Sequence, residues 1–143
     1  MTVIFSKKCE IALQAVLFLS TEKTGHLFNA GEVAAQVRQP KEFVSKMLQL
    51  LTPSGIVGSK KGKNGGFYLA RQPANIRLIE IVEAIDGLDV FNSCVLGFPD
   101  CSTSEPCPVH DKWGELRDKA YKMLSEETLE QLKDKSINKI RNL

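Results

Sequence analysis

The sequence predicts a mainly α-helical fold carrying one small β-hairpin, and three patterns lead to that class. Two short helical segments meet at a tight turn between residues 29 and 51. A glycine- and lysine-rich hairpin follows them directly. In the second half, Val109, Trp113, Leu116, Ala120 and Met123 recur at alternating steps of four and three, the seam of a long helix. The 143 residues suffice for one domain with an appendage. Composition is that of an ordinary soluble protein. The longest apolar stretch, residues 11–19, is far too short to cross a bilayer.

Over residues 6–20, Ile11, Ala12, Leu13, Ala15, Val16, Leu17, Phe18 and Leu19 form a helix apolar nearly all round, as for burial on several sides. Thr24 and Gly25 end it. Asn29 stands three residues before Glu32, a variant of the capping box, and opens a short second helix through Ala34 and Val37. Arg38 and Gln39 make the turn, and Pro40 suits the first position of a third helix. There Phe43, Met47, Leu48 and Leu51 share one face, while Lys41, Glu42, Ser45, Lys46 and Gln49 share the other. Pro53 and Gly55 close it.

Residues 56–60 and 67–71 are short extended segments joined by the tip Lys61-Gly62-Lys63-Asn64-Gly65-Gly66. Two helices at a tight turn followed by a basic hairpin outline a winged helix-turn-helix. Its third helix would present Lys41, Glu42, Ser45 and Lys46 to base edges of double-stranded DNA, and its wing would bring Lys60, Lys61 and Lys63 to phosphates. Charge agrees. Residues 1–71 carry ten Lys/Arg against four Asp/Glu, a net +6, whereas residues 72–143 carry nine against thirteen, a net −4. The basic half is expected to meet a polyanion. The GxxxxGK[ST] spacing of a nucleotide phosphate loop is absent. No nucleophile or acid–base constellation stands out, so an enzyme is not expected.

After Pro73, Leu78, Ile81, Val82 and Ile85 mark a packing helix that stops at Asp86-Gly87. The helix beginning near Asp111 is expected to pair with a second copy of itself through Trp113, Leu116, Ala120 and Met123, giving a homodimer. Residues 125–143 are expected to form a short terminal helix with a polar, fraying tail.

Between these helices lie Cys94, Cys101, Cys107 and His110, within seventeen residues, on a run broken by Gly97, Pro99, Pro106 and Pro108. Thiolates and imidazole are ligands for zinc or iron–sulfur clusters, and a loop can wrap them around one centre. With no signal peptide or spanning segment in view, a cytoplasmic, non-membrane protein in reducing surroundings is expected, where a stable disulfide is uncommon. Thiol redox sensing and a structural zinc are the alternatives, although no close CxxC pair favours zinc.

The order of parts resembles the Rrf-type regulators, bacterial transcription factors of the IscR, NsrR and RirA kind. The resemblance runs through the winged helix, the Gly65-Gly66-Phe67-Tyr68-Leu69 exit from the wing, the helix end Ile81-Val82-Glu83-Ala84-Ile85-Asp86-Gly87, and the three-cysteine loop before a long helix. It implies a homodimeric, sequence-specific DNA-binding regulator whose affinity for its operator is controlled by an iron–sulfur cluster responding to redox, iron or nitric oxide. It divides the chain into a winged domain with its packing helix (1–87), a cluster-binding loop (88–110) and a dimerisation helix with tail (111–143). Cys94 and Cys101 are separated by six residues, where IscR-like members have five, while Cys107-x-x-His110 and Trp113 follow the IscR pattern. NsrR-like members use a carboxylate from the partner's first helix, and Glu10 matches that place. His110 and Glu10 are thus both candidates for the fourth ligand, with His110 preferred, and 2Fe–2S is preferred over 4Fe–4S.

Overall fold

In a computed structural model describing residues 4–99, 101 and 104–143, the chain forms six α-helices and a two-stranded hairpin. Helix α1 (Lys7–Leu19) is the hub. Its N-cap Ser6 accepts from the Cys9 amide at 3.0 Å, and Cys9, Ile11, Ala12, Ala15, Val16 and Leu19 are buried. Such all-round burial fits its composition, because α2 (Ala30–Val37), α3 (Lys41–Leu50), α4 (Leu78–Ile85) and α6 (Leu129–Arg141) all pack against it. The expected capping box opens α2: the Glu32 amide donates to Asn29 Oδ1 at 2.8 Å and the Asn29 amide to Glu32 Oε2 at 3.0 Å. Arg38, with φ of 54°, turns the chain into α3. Pro40 caps α3 from just outside rather than occupying its first turn.

The buried face of α3 comprises Val44, Met47 and Leu48, with Leu51 beyond its end, while Phe43 is only partly buried. The expected face is therefore rotated slightly, exchanging Phe43 for Val44. The opposite face stays in solvent as expected.

Strands β1 (Val57–Lys60) and β2 (Gly66–Leu69) pair antiparallel with Lys60 opposite Gly66. β1 begins one residue later than its sequence-based bound, while β2 begins one residue earlier and ends two residues earlier. Phe28 adds a bridge to Phe67 through reciprocal hydrogen bonds of 2.8 and 2.7 Å, so the wing is sewn to the segment before α2. A Cβ on Gly66 would run into the Phe28 carbonyl, which explains glycine there. Beyond the wing Arg71 pairs with Glu80 of α4 at 2.9 Å and donates to Asn75 O at 3.1 Å.

Helix α4 ends at Gly87, φ 77°, whose amide returns to Glu83 O at 3.1 Å. Asp86 then clasps the start of α1, accepting from the Ser6 amide at 2.8 Å and from the Ser6 hydroxyl. Helix α5 (His110–Glu126) is different: Leu124 is its one fully buried residue. Its C-terminal end is stitched to the winged domain, Arg77 bridging Thr128 with bonds from Leu78 N to Glu127 O (3.1 Å) and Leu129 N to Ile76 O (3.0 Å).

Residues 125–143 hold the terminal helix expected of them, but it is longer and runs almost to the end of the chain. Helix α6 has thirteen residues and packs on α1, with Leu129 and Ile140 buried. Leu129, Leu132, Ser136 and Ile140 make a narrow stripe at helical spacing, too sparse among charges to be conspicuous in sequence. Among the described residues no helix is long and apolar enough to cross a membrane.

Candidate nucleic-acid interface and metal centre

On the winged side, Lys41, Glu42 and Lys46 are exposed and Ser45 half-buried, along the outer face of α3. Val44, Met47 and Leu48 anchor the other face, and on the outer one Gln49 Nε2 donates to Ser45 Oγ at 3.5 Å. Lys60, Lys61 and Lys63 are exposed at the end and tip of the hairpin. The ion pairs among the described residues join Lys7 to Glu10, Arg71 to Glu80 and Lys133 to Glu130, so no carboxylate there neutralises a wing lysine. Sequence and structure place the same basic groups in solvent.

The cysteine loop runs from a 3₁₀ turn (Asp89–Phe91) to α5. Gly97, φ 85°, reverses it, its amide donating to Cys94 O at 3.0 Å. The loop's stance is fixed from α5: Trp113 Nε1 and Arg117 Nη1 both donate to Ser93 O, at 2.8 and 3.0 Å. Asp100, Ser102 and Thr103 lie outside the described residues.

The loop brings Cys94, Cys101 and Cys107 together. Their Sγ atoms all lie within 4.8 Å of one another, all three are half-buried free thiols, and Cys94 and Cys107 are 3.5 Å apart. His110, the first residue of α5, has Nδ1 3.1 Å from Cys101 Sγ. A cavity of about 100 Å³ is lined by these four residues with Asn92, Trp113 and Arg117. Burial acts to raise the Cys94 pKa, but hydrogen bonds to its sulfur from the Phe98 and Leu96 amides and the Cys107 and Cys101 thiols outweigh it, and the value falls to about 7. Cys107 moves the other way, raised first by burial and then by its two thiol neighbours. One thiol poised to ionise beside two more and an imidazole is a donor set that fits a soft or borderline metal.

Glu10 is placed elsewhere. It lies on α1, half-buried and 3.8 Å from Lys7, and is not one of the groups gathered at the thiols within this chain. Cys9 is a core residue: burial first, then the Asp86 and Glu10 carboxylates, push its thiol up to about 12. Arg117 is not marked out by residue type alone. Its signal is its spacing, four residues after Trp113 and seven after His110, which puts all three on one helical face.

Trp113, Leu116 and Ala120 line an apolar groove of about 430 Å³ with Val90, Phe91 and Val95. Leu116 is 60% exposed and Met123 54%, a large apolar surface for one helix to leave uncovered.

The Rrf2 family model, described as an iron-dependent transcriptional regulator, matches residues 5–135. An Aquifex aeolicus protein assigned as an HTH-type transcriptional regulator is 32% identical over 131 residues, covering 90% of each chain. The HTH-type transcriptional regulator NsrR of Oceanobacillus iheyensis is 26% identical over 127 residues, 88% of this chain and 86% of that one. Among solved structures, CymR, the global cysteine regulator of B. subtilis, superposes with a TM-score of 0.75 at 21% identity, covering 93% of this chain and 98% of its own. T. potens IscR gives a TM-score of 0.70 at 22% identity, covering 94% and 88%. At such identities the structural likeness speaks for the fold alone.

Proposed function

The chain belongs to the Rrf2 family of transcriptional regulators, and from that premise we propose that it binds operator DNA as a homodimer under the control of an iron–sulfur cluster. It is a regulator and not an enzyme. The observation that carries the cluster is the convergence of three thiols within 4.8 Å beside the His110 imidazole. Cys94, Cys101 and Cys107 would hold the cluster, with His110 or the partner subunit's Glu10 as fourth ligand. When bound, it would supply a one-electron centre and would tie Cys94, Cys101 and Cys107 to one another in addition to the Trp113 and Arg117 bonds to Ser93 O. The rest is done by the protein. Trp113 and Arg117 tie the loop to α5, α5 meets its counterpart through Leu116 and Met123, and the α3 helices read bases while Lys60, Lys61 and Lys63 hold phosphates. The state of the loop thereby biases the separation of the two reading heads.

Anaerobic purification with absorbance spectra and iron and sulfide analysis tests this. The expected protein is brown, holds iron and sulfide, and loses its visible absorbance when any of Cys94, Cys101 or Cys107 is replaced by alanine. Colourless protein without sulfide refutes the cluster. His110→Ala should alter the spectrum. If it keeps an unaltered cluster while Glu10→Ala loses it, the fourth ligand is the carboxylate.

One observation favours a second reading. Two thiolates on one tetrahedral zinc lie about 3.8 Å apart, and Cys94 and Cys107 are already at 3.5 Å. A single zinc held by three cysteines and His110 fits that spacing, and stoichiometric zinc without sulfide in the same assay would establish it.

A further inference from the structure

The thiol cavity is walled on one side by a cation that neither the ligand set nor the DNA face uses. Arg117 lines it together with His110 and Trp113. Its Nη1 donates to Ser93 O at 3.0 Å, but its Nε is buried with no hydrogen-bond partner. Among the described residues it enters no ion pair. Arg117 is half-buried, and holding a guanidinium partly out of water with no counter-charge carries a cost. The groups across the cavity that can become anionic are the three cysteines.

We infer that Arg117 is the built-in counter-charge of the cysteine-held centre and sets the potential at which that centre takes up an electron. The inference rests on the iron–sulfur reading. Three thiolates and one neutral imidazole around a 2Fe–2S or 4Fe–4S core leave a net anion, and a one-electron reduction makes it more negative. A nearby cation stabilises the reduced form more than the oxidised one, and the half-buried surroundings limit screening by water. Arg117 thus acts on the centre from the second layer, as a positioning and electrostatic residue, while its fork also fastens the loop through Ser93. The same side chain lines the apolar groove beside Phe91, Leu116 and Ala120, so it stands between the centre and the surface proposed to meet the second copy.

The test is a spectroelectrochemical titration of anaerobically reconstituted full-length protein, with dithionite as electron donor and iron and sulfide counted in each sample. Wild type, Arg117→Gln and Arg117→Lys are compared. The expected result is a more negative potential for Arg117→Gln and a near-native one for Arg117→Lys, which keeps the charge but not the fork. An unchanged potential in fully loaded Arg117→Gln overturns the inference and leaves the cluster reading standing. So does a shift in Arg117→Lys as large as that in Arg117→Gln. Wild type that holds no iron and sulfide overturns the cluster reading itself. If Arg117→Gln folds by circular dichroism but does not load, loading of Arg117→Lys supports the charge, whereas failure of both assigns the effect to the fork and overturns it.

Discussion

Removing two wing charges tests the DNA interface most directly. Lys61 and Lys63 sit at the exposed hairpin tip, and no carboxylate among the described residues neutralises them. Their loss should leave the hairpin intact, because its pairing runs from Val57 opposite Leu69 to Lys60 opposite Gly66 and is secured by the Phe28–Phe67 bridge. Each phosphate that no longer meets a lysine should flatten the slope of log affinity against log salt by about 0.9. In the proposed homodimer, two lysines on each of two wings therefore remove up to about 3.6 from that slope. Between about 50 and 200 mM salt, the variant should lose about a hundredfold less affinity than the wild type does. The assay is fluorescence anisotropy with an operator duplex and a scrambled duplex across a salt series, at unchanged circular dichroism. Binding to both duplexes should weaken together, since phosphates carry no sequence. A Lys61→Ala/Lys63→Ala protein that keeps the native affinity and slope refutes the assignment of the hairpin as a DNA-contacting wing.

The packing of α6 is checked by Leu129→Ala: emptying a fully buried site should cost about 3 kcal/mol and lower the melting temperature by about 10 °C. A shift within a degree or two would mean that the helix is peripheral. Leu116→Glu, at a residue 60% exposed in the single chain, should yield a folded monomer with weak DNA binding, and sedimentation showing an unchanged dimer would exclude this face as the seam. Cys9 should resist iodoacetamide in the native protein and react once it is denatured. Because its folded pKa is raised to about 12, the stability it contributes is complete below its unfolded value and declines as pH climbs from about 9 toward 12. A Cys9→Ala protein whose stability falls just as steeply over that range would assign the decline to other groups.

Features set by neighbouring residues were legible in the sequence: the Asn29–Glu32 box, the Arg38 turn, the glycines of the wing and the Asp86-Gly87 stop each declare themselves within a few positions. Contacts made across the chain were not. Nothing near Phe28 announces that it will bridge Phe67, and Asp86, read as part of a helix end, also caps α1 eighty residues earlier. The exchange of Phe43 for Val44 depends on how α3 packs against its neighbours, which periodicity alone does not specify. For the centre, residue type identified Cys94, Cys101, Cys107 and His110 as candidate ligands, but the closeness of the three thiols depends on how the loop folds back, and Arg117 belongs to it only through the pitch of α5.

If its packing on α4 and the Phe91–Tyr121 ring contact yield, the stitching of Arg77 to Thr128 makes α5 a lever with its fulcrum at the winged domain. Seventeen helical residues at about 1.5 Å each separate that fulcrum from the cysteine loop by about 25 Å. A tilt of only about 10° would sweep the loop end through about 4 Å, more than the length of a hydrogen bond. Worked from the other end, a small change in how the loop grips Trp113 and Arg117 has a long arm on which to act, and the torque arrives where α4, α5 and α6 converge on the domain that carries α3.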